Sequence, residues 1–254
     1  MERRSMEPIL AASFKDRIRL WSRAFRYRFR LDPAEVHWMC RHLHRGDTAV
    51  DIGAHKGAYT WWMHRQVGGR AGRVVAFEPQ PELAEALRRL FFGPRWQHVS
   101  IEQAGVSCAS GNLTLQIPSD GPSPGATLVP GLHDAGCRTI QVPVVTLDAY
   151  AQEHGLGPVK LIKCDVEGHE LSVFRGAQRI LTDDRPLLMF ECERRHHPDG
   201  EISPVFAHLQ DLGYSGFFFR GKALIPLGEF DADRDQVVGT EPYINNFVFT
   251  PCTQ

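Results

Sequence analysis

Apolar and polar residues follow two different periods along the chain, and each change of period marks a predicted element. Apolar runs at residues 49–52 and 74–77 are typical of buried parallel strands, and the segment between them has the pattern of a helix beginning near Gly57. Similar runs predict three more parallel strands, at residues 99–104, 159–164 and 186–190. Because helical patterns separate most of these strands, the sequence predicts an α/β fold with a doubly wound, mostly parallel sheet.

Between the third and fourth predicted core strands the period changes to two. Apolar residues alternate with polar ones around residues 113–117 and 140–144, a pattern that predicts an inserted antiparallel β-hairpin. The 21 residues between its strands, 118–138, are rich in proline and glycine, and a connection of this length predicts a lid over a functional site. Three late strands without long helices between them predict an antiparallel edge, at residues 214–219, 223–227 and 244–249.

The N-terminal 45 residues form a predicted helical segment, and residues 46–254 form the main domain. Over residues 14–30 an apolar stripe is interleaved with many basic residues, and it comprises Phe14, Ile18, Trp21, Phe25 and Phe29. We expect a helix packed on the main domain with a solvated arginine face; the alternative is peripheral contact with an anionic membrane surface or an acidic partner. A second helix is predicted to begin at Asp32-Pro33, with Asp32 as its N-cap.

Composition restricts the class of protein. The chain has 254 residues, of which 43% are apolar, and a formal net charge of −1, so it does not have the character of a nucleic-acid binder. No apolar run is long enough to predict a membrane span, and the six scattered cysteines lack a Cys-x-x-Cys pair, which predicts reduced thiols in a cytoplasmic protein. The oligomeric state stays open, with a homodimer as one candidate.

The turn after the first strand and the acid after the second strand form the pattern of a nucleotide site. A dinucleotide fingerprint needs a glycine where this chain has His55, two positions after Gly53, and the Cβ of His55 obstructs the approach of a pyrophosphate. Glu78 follows the second strand, where a carboxylate can bind a ribose diol. The pattern therefore favours a nucleoside without a pyrophosphate, namely S-adenosylmethionine, over a nicotinamide-dependent oxidoreductase or a turn without a ligand.

A second cluster of acids follows the fourth strand in the segment Asp165-Val-Glu-Gly-His-Glu170. Together with the first turn, this segment resembles the FkbM-type methyltransferases, a class I family dependent on S-adenosylmethionine. The matching segments are Val50-Asp-Ile-Gly-Ala-His-Lys-Gly, Phe77-Glu-Pro, Val145-Thr-Leu-Asp, Ile162-Lys-Cys-Asp-Val-Glu-Gly-His-Glu, Gly176-Ala and Asn246-Phe-Val-Phe. The resemblance covers nearly all of the chain except the N-terminal helices.

The resemblance implies a Rossmann-like sheet of seven strands and transfer of a methyl group, usually to a hydroxyl of a small molecule such as a sugar or polyketide. It further implies that Gly53, Ala54 and Gly57 hold the methionine part of the cofactor and that Glu78 binds the ribose. The other residues that it implies at the cofactor are Asp51, Gln103, Ala104 and Asp165.

Catalysis at a hydroxyl needs a base, and the acids near the fourth and fifth strand ends supply candidates. His169 is one candidate because imidazole titrates near neutral pH, with Asp165 or Glu167 orienting it or acting as the base themselves. Glu191 and Glu170 are predicted to contact the acceptor. The same acids suit Mg²⁺, but we expect a metal-free site.

Two further expectations concern the loop after the fifth strand and the possibility that the protein has no catalytic activity. His196-His197-Pro198-Asp199 is predicted to be a solvated loop, because adjacent histidines in a turn rarely converge on one ion. A third hypothesis, a non-catalytic scaffold with the same fold, is disfavoured by the acids at Glu78 and Asp165.

Overall fold

The structure is a computed structural model of the chain, and it describes residues 11–69, 71–118, 121–132 and 136–252. Its helices are α1 (Phe14–Arg26), α2 (Pro33–His42), α3 (Ala58–Val67), α4 (Pro81–Leu90), α5 (Leu147–Glu153), α6 (Glu170–Arg175), α7 (Ser203–Asp211) and α8 (Ala232–Asp235). Its strands are β1 (Thr48–Ile52), β2 (Arg73–Phe77), β3 (Val99–Glu102), β4 (Gly105–Val106), β5 (Gly111–Ile117), β6 (Arg138–Val145), β7 (Val159–Cys164), β8 (Leu187–Glu191), β9 (Tyr214–Arg220), β10 (Ala223–Pro226) and β11 (Asn246–Pro251).

The central sheet has the strand order β10-β9-β11-β8-β7-β1-β2-β3. The neighbouring strands β8, β7, β1, β2 and β3 run parallel. The strand order along the chain reverses at β1, which pairs with β2 on one side and with β7 on the other. Alternate residues of each strand face opposite layers of helices. Ala49 packs with residues of α2 and α3, and Val50 packs with residues of α5, α6 and α7. The predicted Rossmann-like α/β fold is confirmed.

The three late strands form the predicted antiparallel edge, but the total number of strands differs from the one that the resemblance implies. The sheet has eight strands rather than seven, because β9 and β10 form an antiparallel hairpin at its edge. The antiparallel strand β11 is not an edge strand but lies between β8 and β9. Phe247, Val248 and Phe249 are all fully buried, so this strand is apolar on both faces and is stable only with a neighbour on each side.

The predicted inserted hairpin is present as β5 and β6, which pair from Gly111↔Val144 to Ile117↔Arg138. The short strand β4 joins this hairpin, in parallel with β6, and completes a separate three-stranded sheet. Helix α6 ends at Arg175, and the chain then approaches another loop at Gly176, where a Cβ would lie 2.0 Å from the carbonyl oxygen of Ser107.

The N-terminal helix packs on the main domain as predicted, but through a different face. Leu20 and Ala24 are buried, whereas four residues of the predicted stripe are exposed. The small side chain of Ala24 allows close approach, so that Trp62 Nε1 donates a hydrogen bond of 2.8 Å to the carbonyl oxygen of Ala24. The exposed residues of the stripe are Phe14, Ile18, Trp21 and Phe29. Peripheral membrane contact through this face stays a prediction.

The start of α2 also differs in detail from the prediction. The carboxylate of Asp32 does not cap the helix but accepts a hydrogen bond of 2.8 Å from the hydroxyl of Tyr59. Asp32 therefore links the second helix to α3. Over the described residues, no helix combines the length and the apolar content that crossing a bilayer requires.

Candidate functional site

A cavity of about 240 Å³ lies where the parallel strands end. Ile52, Phe77 and Glu191 are the last residues of β1, β2 and β8, and all three line it. Asp165, the residue after β7, lines it as well. In open α/β sheets, ligands bind at this carboxyl edge, beside the strand where the order reverses. Two of the predicted site residues, Asp165 and Glu191, therefore lie together at this cavity.

The turn after β1 depends on Gly53 for the close approach of two chain segments. Gly53 has φ +78°, and a Cβ there would lie 1.8 Å from the carbonyl oxygen of Asp165. The amides of Gly53 and Ala54 both donate hydrogen bonds of 3.0 Å to the carbonyl oxygen of Phe77. Because these N–H groups are engaged within the protein, Gly53 shapes the floor of the cavity rather than donating into it.

Gly57 has a packing role instead of a place in the cavity lining. Its φ is +78°, and an added Cβ would lie 2.7 Å from Leu87 Cδ2 of α4. Glycine here lets the first turn of α3 lie directly against α4. The backbone therefore requires glycine at both Gly53 and Gly57, because each has a positive φ and a close neighbour.

Glu78 is a buried carboxylate at the end of β2. It is 2% exposed, and its two oxygens accept hydrogen bonds from the backbone N–H groups of His55 at 2.7 Å and Gln80 at 2.9 Å. Burial raises the pKa of Glu78 to about 7, although these two donors favour the ionised form. Glu78 lines the cavity and keeps lone pairs for a ligand.

A buried lysine connects two of the predicted acids. Lys163 Nζ lies 3.1 Å from Asp165 Oδ2 and 4.0 Å from Asp51 Oδ1. Burial would lower the pKa of Lys163, but the neighbouring carboxylates raise it above its usual value, so the ammonium stays charged. Asp51 accepts a hydrogen bond of 2.6 Å from Thr60 of α3 and does not line the cavity, whereas Lys163 and Asp165 do.

Glu167 lies in a strained turn that directs it to the cavity. Its φ is +53°, which is unusual for a residue with a side chain, and Gly168 follows with φ +97°. His196 Nδ1 lies 2.8 Å from Glu167 Oε2, and both side chains are largely buried. Burial raises the pKa of Glu167, while burial of His196 is outweighed by Glu167, which raises the pKa of His196. The contact therefore holds the two side chains in one geometry and stabilises the charged form of His196.

Glu191 belongs to a hydrogen-bonded group at the end of β8. Asn245 Nδ2 donates to Glu191 Oε1 at 3.0 Å, and Tyr243 donates its hydroxyl to Glu193 Oε2 at 2.6 Å. Burial, together with the charge of Asp165, raises the pKa of Glu191. Burial would raise the pKa of Glu193, but hydrogen bonds from Glu191, Tyr243 and Arg195 lower it to about 2, and Arg195 Nε lies 2.8 Å from Glu193 Oε2.

Two segments outside the parallel strands also line the cavity. From residues 118–138, Ser123 lies against Gln80, and each residue donates one hydrogen bond of 2.9 Å to the other. In the same segment, Thr127 Oγ1 donates at 2.6 Å to the carbonyl oxygen of Glu167. From the N-terminal segment, Arg23 and Tyr27 contribute side chains.

Residues 51–215, well over half of the chain, match the Methyltransferase FkbM domain. The chain belongs to the FkbM methyltransferase family. The matched region contains the acids at β1, β2, β7 and β8, so FkbM membership favours methyl transfer over the nicotinamide and scaffold alternatives.

Two relatives, both methyltransferases by name, have moderate sequence identity. The 31-O-demethyl-FK506 methyltransferase FkbM of Streptomyces tacrolimicus is 27% identical over 204 residues, covering 68% of this chain and 74% of the relative. Methyltransferase sdnD of Sordaria araneosa is 27% identical over 193 residues, covering 65% of this chain and 72% of the relative.

A crystal structure of an FkbM methyltransferase, from Methylobacillus flagellatus KT, has a similar fold. It superposes with a TM-score of 0.51 at 15% identity, over 95% of this chain and 56% of that one. The chain thus spans little more than half of that protein, and the likeness concerns the fold alone.

Besides Asp51 and Gly57, three more residues predicted for the FkbM site lie outside the cavity. His169 Nε2 is 3.0 Å from Ser107 Oγ, and burial lowers the pKa of the imidazole. Glu170 is 1% exposed and accepts a hydrogen bond of 2.9 Å from Gly168 N. Gln103 Oε1 accepts a hydrogen bond from Arg88 at 3.3 Å. The geometry therefore does not place His169 where a base would act.

The histidines after β8 correct another expectation. His196 and His197 do not lie in a solvated loop, because their side chains are 16% and 11% exposed and pair with Glu167 and Glu170, respectively. Sequence analysis also missed Lys163, Arg23 and Tyr27. Only Lys163 carried a signal, as a charged residue within an apolar strand; the other two enter the site through helix packing.

Proposed function

We propose that this protein transfers the methyl group of S-adenosylmethionine to a hydroxyl oxygen of a small molecule such as a sugar, polyketide or other secondary metabolite. The observation that carries the proposal is the placement of acids on the two sides of β1. Glu78 lies at the end of β2, and Asp165, Glu167 and Glu191 lie at the ends of β7 and β8. The first can accept hydrogen bonds from a ribose diol, and the others can face an acceptor hydroxyl.

The residues present fit S-adenosylmethionine. Glu78 offers a buried carboxylate with unused lone pairs for the ribose, and Ala104 lines the same side of the cavity for the adenine. Asp165 can bind the ammonium of the methionine part, and the guanidinium of Arg23 can bind its carboxylate. When bound, the cofactor supplies an electrophilic methyl group on a sulfonium. Asp51, Gly53, Ala54 and Gly57 then act mainly by fixing the turn.

Glu167 is the residue that we assign as general base. It lines the cavity, its backbone strain fixes the direction of the side chain, and His196 binds one carboxylate oxygen, Oε2. A carboxylate whose pKa is raised by burial is a stronger base than one in water, and it can take a proton from a hydroxyl as the oxygen reacts. His196 then stabilises the arrangement as a positioning residue.

Glu191 provides the contact to the acceptor in this proposal. Asn245 donates a hydrogen bond to one carboxyl oxygen of Glu191 and so orients this carboxyl group, which lines the cavity. Alignment of an acceptor hydroxyl by such contacts can contribute up to about 7–11 kcal/mol of the barrier lowering. The segment 118–138 acts as a lid, since Ser123, Pro124 and Ala126 line the cavity.

Binding measurements test the cofactor part of the proposal. In isothermal titration calorimetry, S-adenosylhomocysteine is expected to bind more tightly than NAD. Preference for NAD would reject the proposal, because the acids would then serve a different nucleotide.

A labelling experiment tests the acceptor part. The protein is incubated with methyl-labelled S-adenosylmethionine and paired acceptors that carry either a hydroxyl or an amine on the same sugar or macrolactone. The name of the Streptomyces tacrolimicus relative, which refers to an O-demethylated compound, supports the hydroxyl series. Label on the amines alone would contradict O-methylation while leaving cofactor binding intact.

A further inference from the structure

A cluster of three potential metal ligands lies behind the cavity and has no role in the proposed reaction. It comprises Glu170 at the start of α6, Cys192 just after β8, and His197 in the following loop. His197 Nε2 lies 3.3 Å from Glu170 Oε2, Cys192 Sγ lies 3.7 Å from His197 Nε2, and Cys192 Sγ lies 4.0 Å from Glu170 Oε2. None of the three residues lines the cavity.

The separation between the nitrogen and the oxygen matches the edge of a tetrahedron around a metal ion better than it matches a hydrogen bond, whereas the sulfur separations of 3.7 Å and 4.0 Å are longer than the ideal edge. With zinc–nitrogen and zinc–oxygen bonds of about 2.0 Å and zinc–sulfur bonds of about 2.3 Å, tetrahedral angles give edges of about 3.3 Å and 3.5 Å. The nitrogen–oxygen separation of 3.3 Å agrees with the first value. A charge-assisted hydrogen bond between the same atoms would be about 2.7–2.9 Å long.

The charges in the cluster also balance around a divalent cation. Glu170 and Cys192 are each 1% exposed, and a carboxylate buried to this extent needs a compensating charge. Among the described residues, no lysine or arginine forms a salt bridge with Glu170. A carboxylate, a thiolate and a neutral imidazole together carry the two negative charges that a divalent ion neutralises.

Surrounding hydrogen bonds fix the ligand atoms in place. Gly168 N donates to Glu170 Oε1 at 2.9 Å, which leaves Oε2 toward the cluster. Gln236 Nε2 donates to the carbonyl oxygen of Cys192 at 2.7 Å, and Gln236 Oε1 accepts from Arg194 N at 2.9 Å. Such outer contacts orient metal ligands and hold the loop that carries them.

We propose that Glu170, Cys192 and His197 bind one zinc ion, with water as the fourth ligand. Zinc fits because it accepts sulfur, nitrogen and oxygen donors in tetrahedral geometry, whereas magnesium and calcium require oxygen ligands. The ion ties the turn that carries Glu167 to the loop after β8. It is therefore a structural ion that positions the acids of the cavity.

Metal analysis of the full chain, purified without a histidine tag from zinc-supplemented medium, tests the proposal. We expect about one zinc per chain after gel filtration. Cys192→Ala and His197→Gln should each lower the zinc content more than about tenfold. The matched controls, Cys108→Ala and His44→Gln, change exposed residues and should keep it. Zinc retained at the wild-type level in both ligand variants would overturn the assignment.

A cobalt titration of the wild-type protein decides the question even if the ligand variants fail to fold. After chelation, Co²⁺ should give a thiolate charge-transfer band that saturates at about one equivalent. The zinc assignment would be wrong if the wild-type chain held less than about a tenth of an equivalent of zinc and gave no such band. The three residues would then form a hydrogen-bonded cluster without a metal ion. Neither result depends on methyl transfer, so this proposal and the proposed function can fail separately.

Discussion

At the scale of single residues, Glu78 shows how burial tunes an acid for ligand binding. Two backbone donors favour its ionised form, but burial dominates and raises its pKa to about 7. Nearby His55 has a pKa lowered to about 4 by burial, so it stays neutral around physiological pH. Changes in cofactor affinity between pH 6 and 8 should therefore report on Glu78.

We predict that S-adenosylhomocysteine binds more tightly as the pH rises through about 7. A ribose diol donates hydrogen bonds to the ionised carboxylate, and a pKa of about 7 gives a gain of about tenfold in affinity between pH 6 and 8. Glu78→Gln should weaken binding by about 10- to 150-fold and remove the pH dependence, as measured by calorimetry. Glu153→Gln, at an exposed position, is the control. An unchanged pH profile in Glu78→Gln would contradict the assignment.

Glu167 provides the second prediction at this scale. Glu167→Gln removes the proposed base and should lower kcat by about 10²–10⁴-fold with little change in S-adenosylhomocysteine affinity. Rates are measured with an acceptor found in the labelling experiment. Glu201→Gln, at an exposed position, should retain the wild-type rate. If Glu167→Gln retained it as well, another group would have to accept the proton.

At the scale of elements, the described part of the segment between β5 and β6 is hydrogen-bonded to the site at Ser123 and Thr127. Gln80 is 4% exposed, yet its side chain makes both hydrogen bonds to the backbone of Ser123. Thr127 makes a third contact, to the turn that carries Glu167. The segment can therefore be released by changing residues that do not touch the proposed reacting groups.

We predict that Gln80→Ala speeds proteolytic cleavage within residues 118–138. Loss of the two hydrogen bonds lowers the free energy of local opening by about 1–3 kcal/mol, or roughly 5- to 150-fold in the open population. Limited proteolysis followed by mass spectrometry measures the rate at each site. Gln141→Ala, on the exposed side of the hairpin, should leave the rate unchanged. Bound S-adenosylhomocysteine should slow cleavage of the wild type; no protection would argue against a lid.

At the scale of the whole molecule, Lys163 couples the two central strands. It extends from β7 toward Asp51 of β1 and also pairs with Asp165. At 6% exposure, it places a positive charge beside the buried carboxylate of Asp51 and the half-buried carboxylate of Asp165. Lys163, Asp51 and Asp165 therefore form one group of charges that extends from the core of the sheet to the cavity.

We predict that Lys163→Met lowers the free energy of unfolding by about 3–5 kcal/mol, because it leaves two carboxylates without a counter-charge. Urea denaturation followed by circular dichroism measures the change. Lys160→Met, an exposed position on the same strand, should stay within about 0.5 kcal/mol of the wild type. Equal stability of the two variants would show that the buried charge group does not stabilise the fold.

The sequence by itself determined the parallel core, the inserted hairpin and the strand-end positions of the acids. These features follow from local periodicity and chain order, because a strand that ends in an acid places that acid at the carboxyl edge of the sheet. Glu78, Asp165, Glu167 and Glu191 lie at the cavity for this reason. The sequence also identified the family, whose motifs are contiguous segments.

Only the tertiary structure decided which residues meet across segments. His169 faces Ser107 while His196 reaches Glu167, because side-chain direction in a turn depends on backbone angles such as the φ of +53° at Glu167. The buried face of α1 and the central position of β11 likewise depend on partners distant in sequence, which periodicity does not encode. The cluster of Glu170, Cys192 and His197 exists for the same reason, since the start of α6 must meet the loop after β8 before its ligand atoms come together.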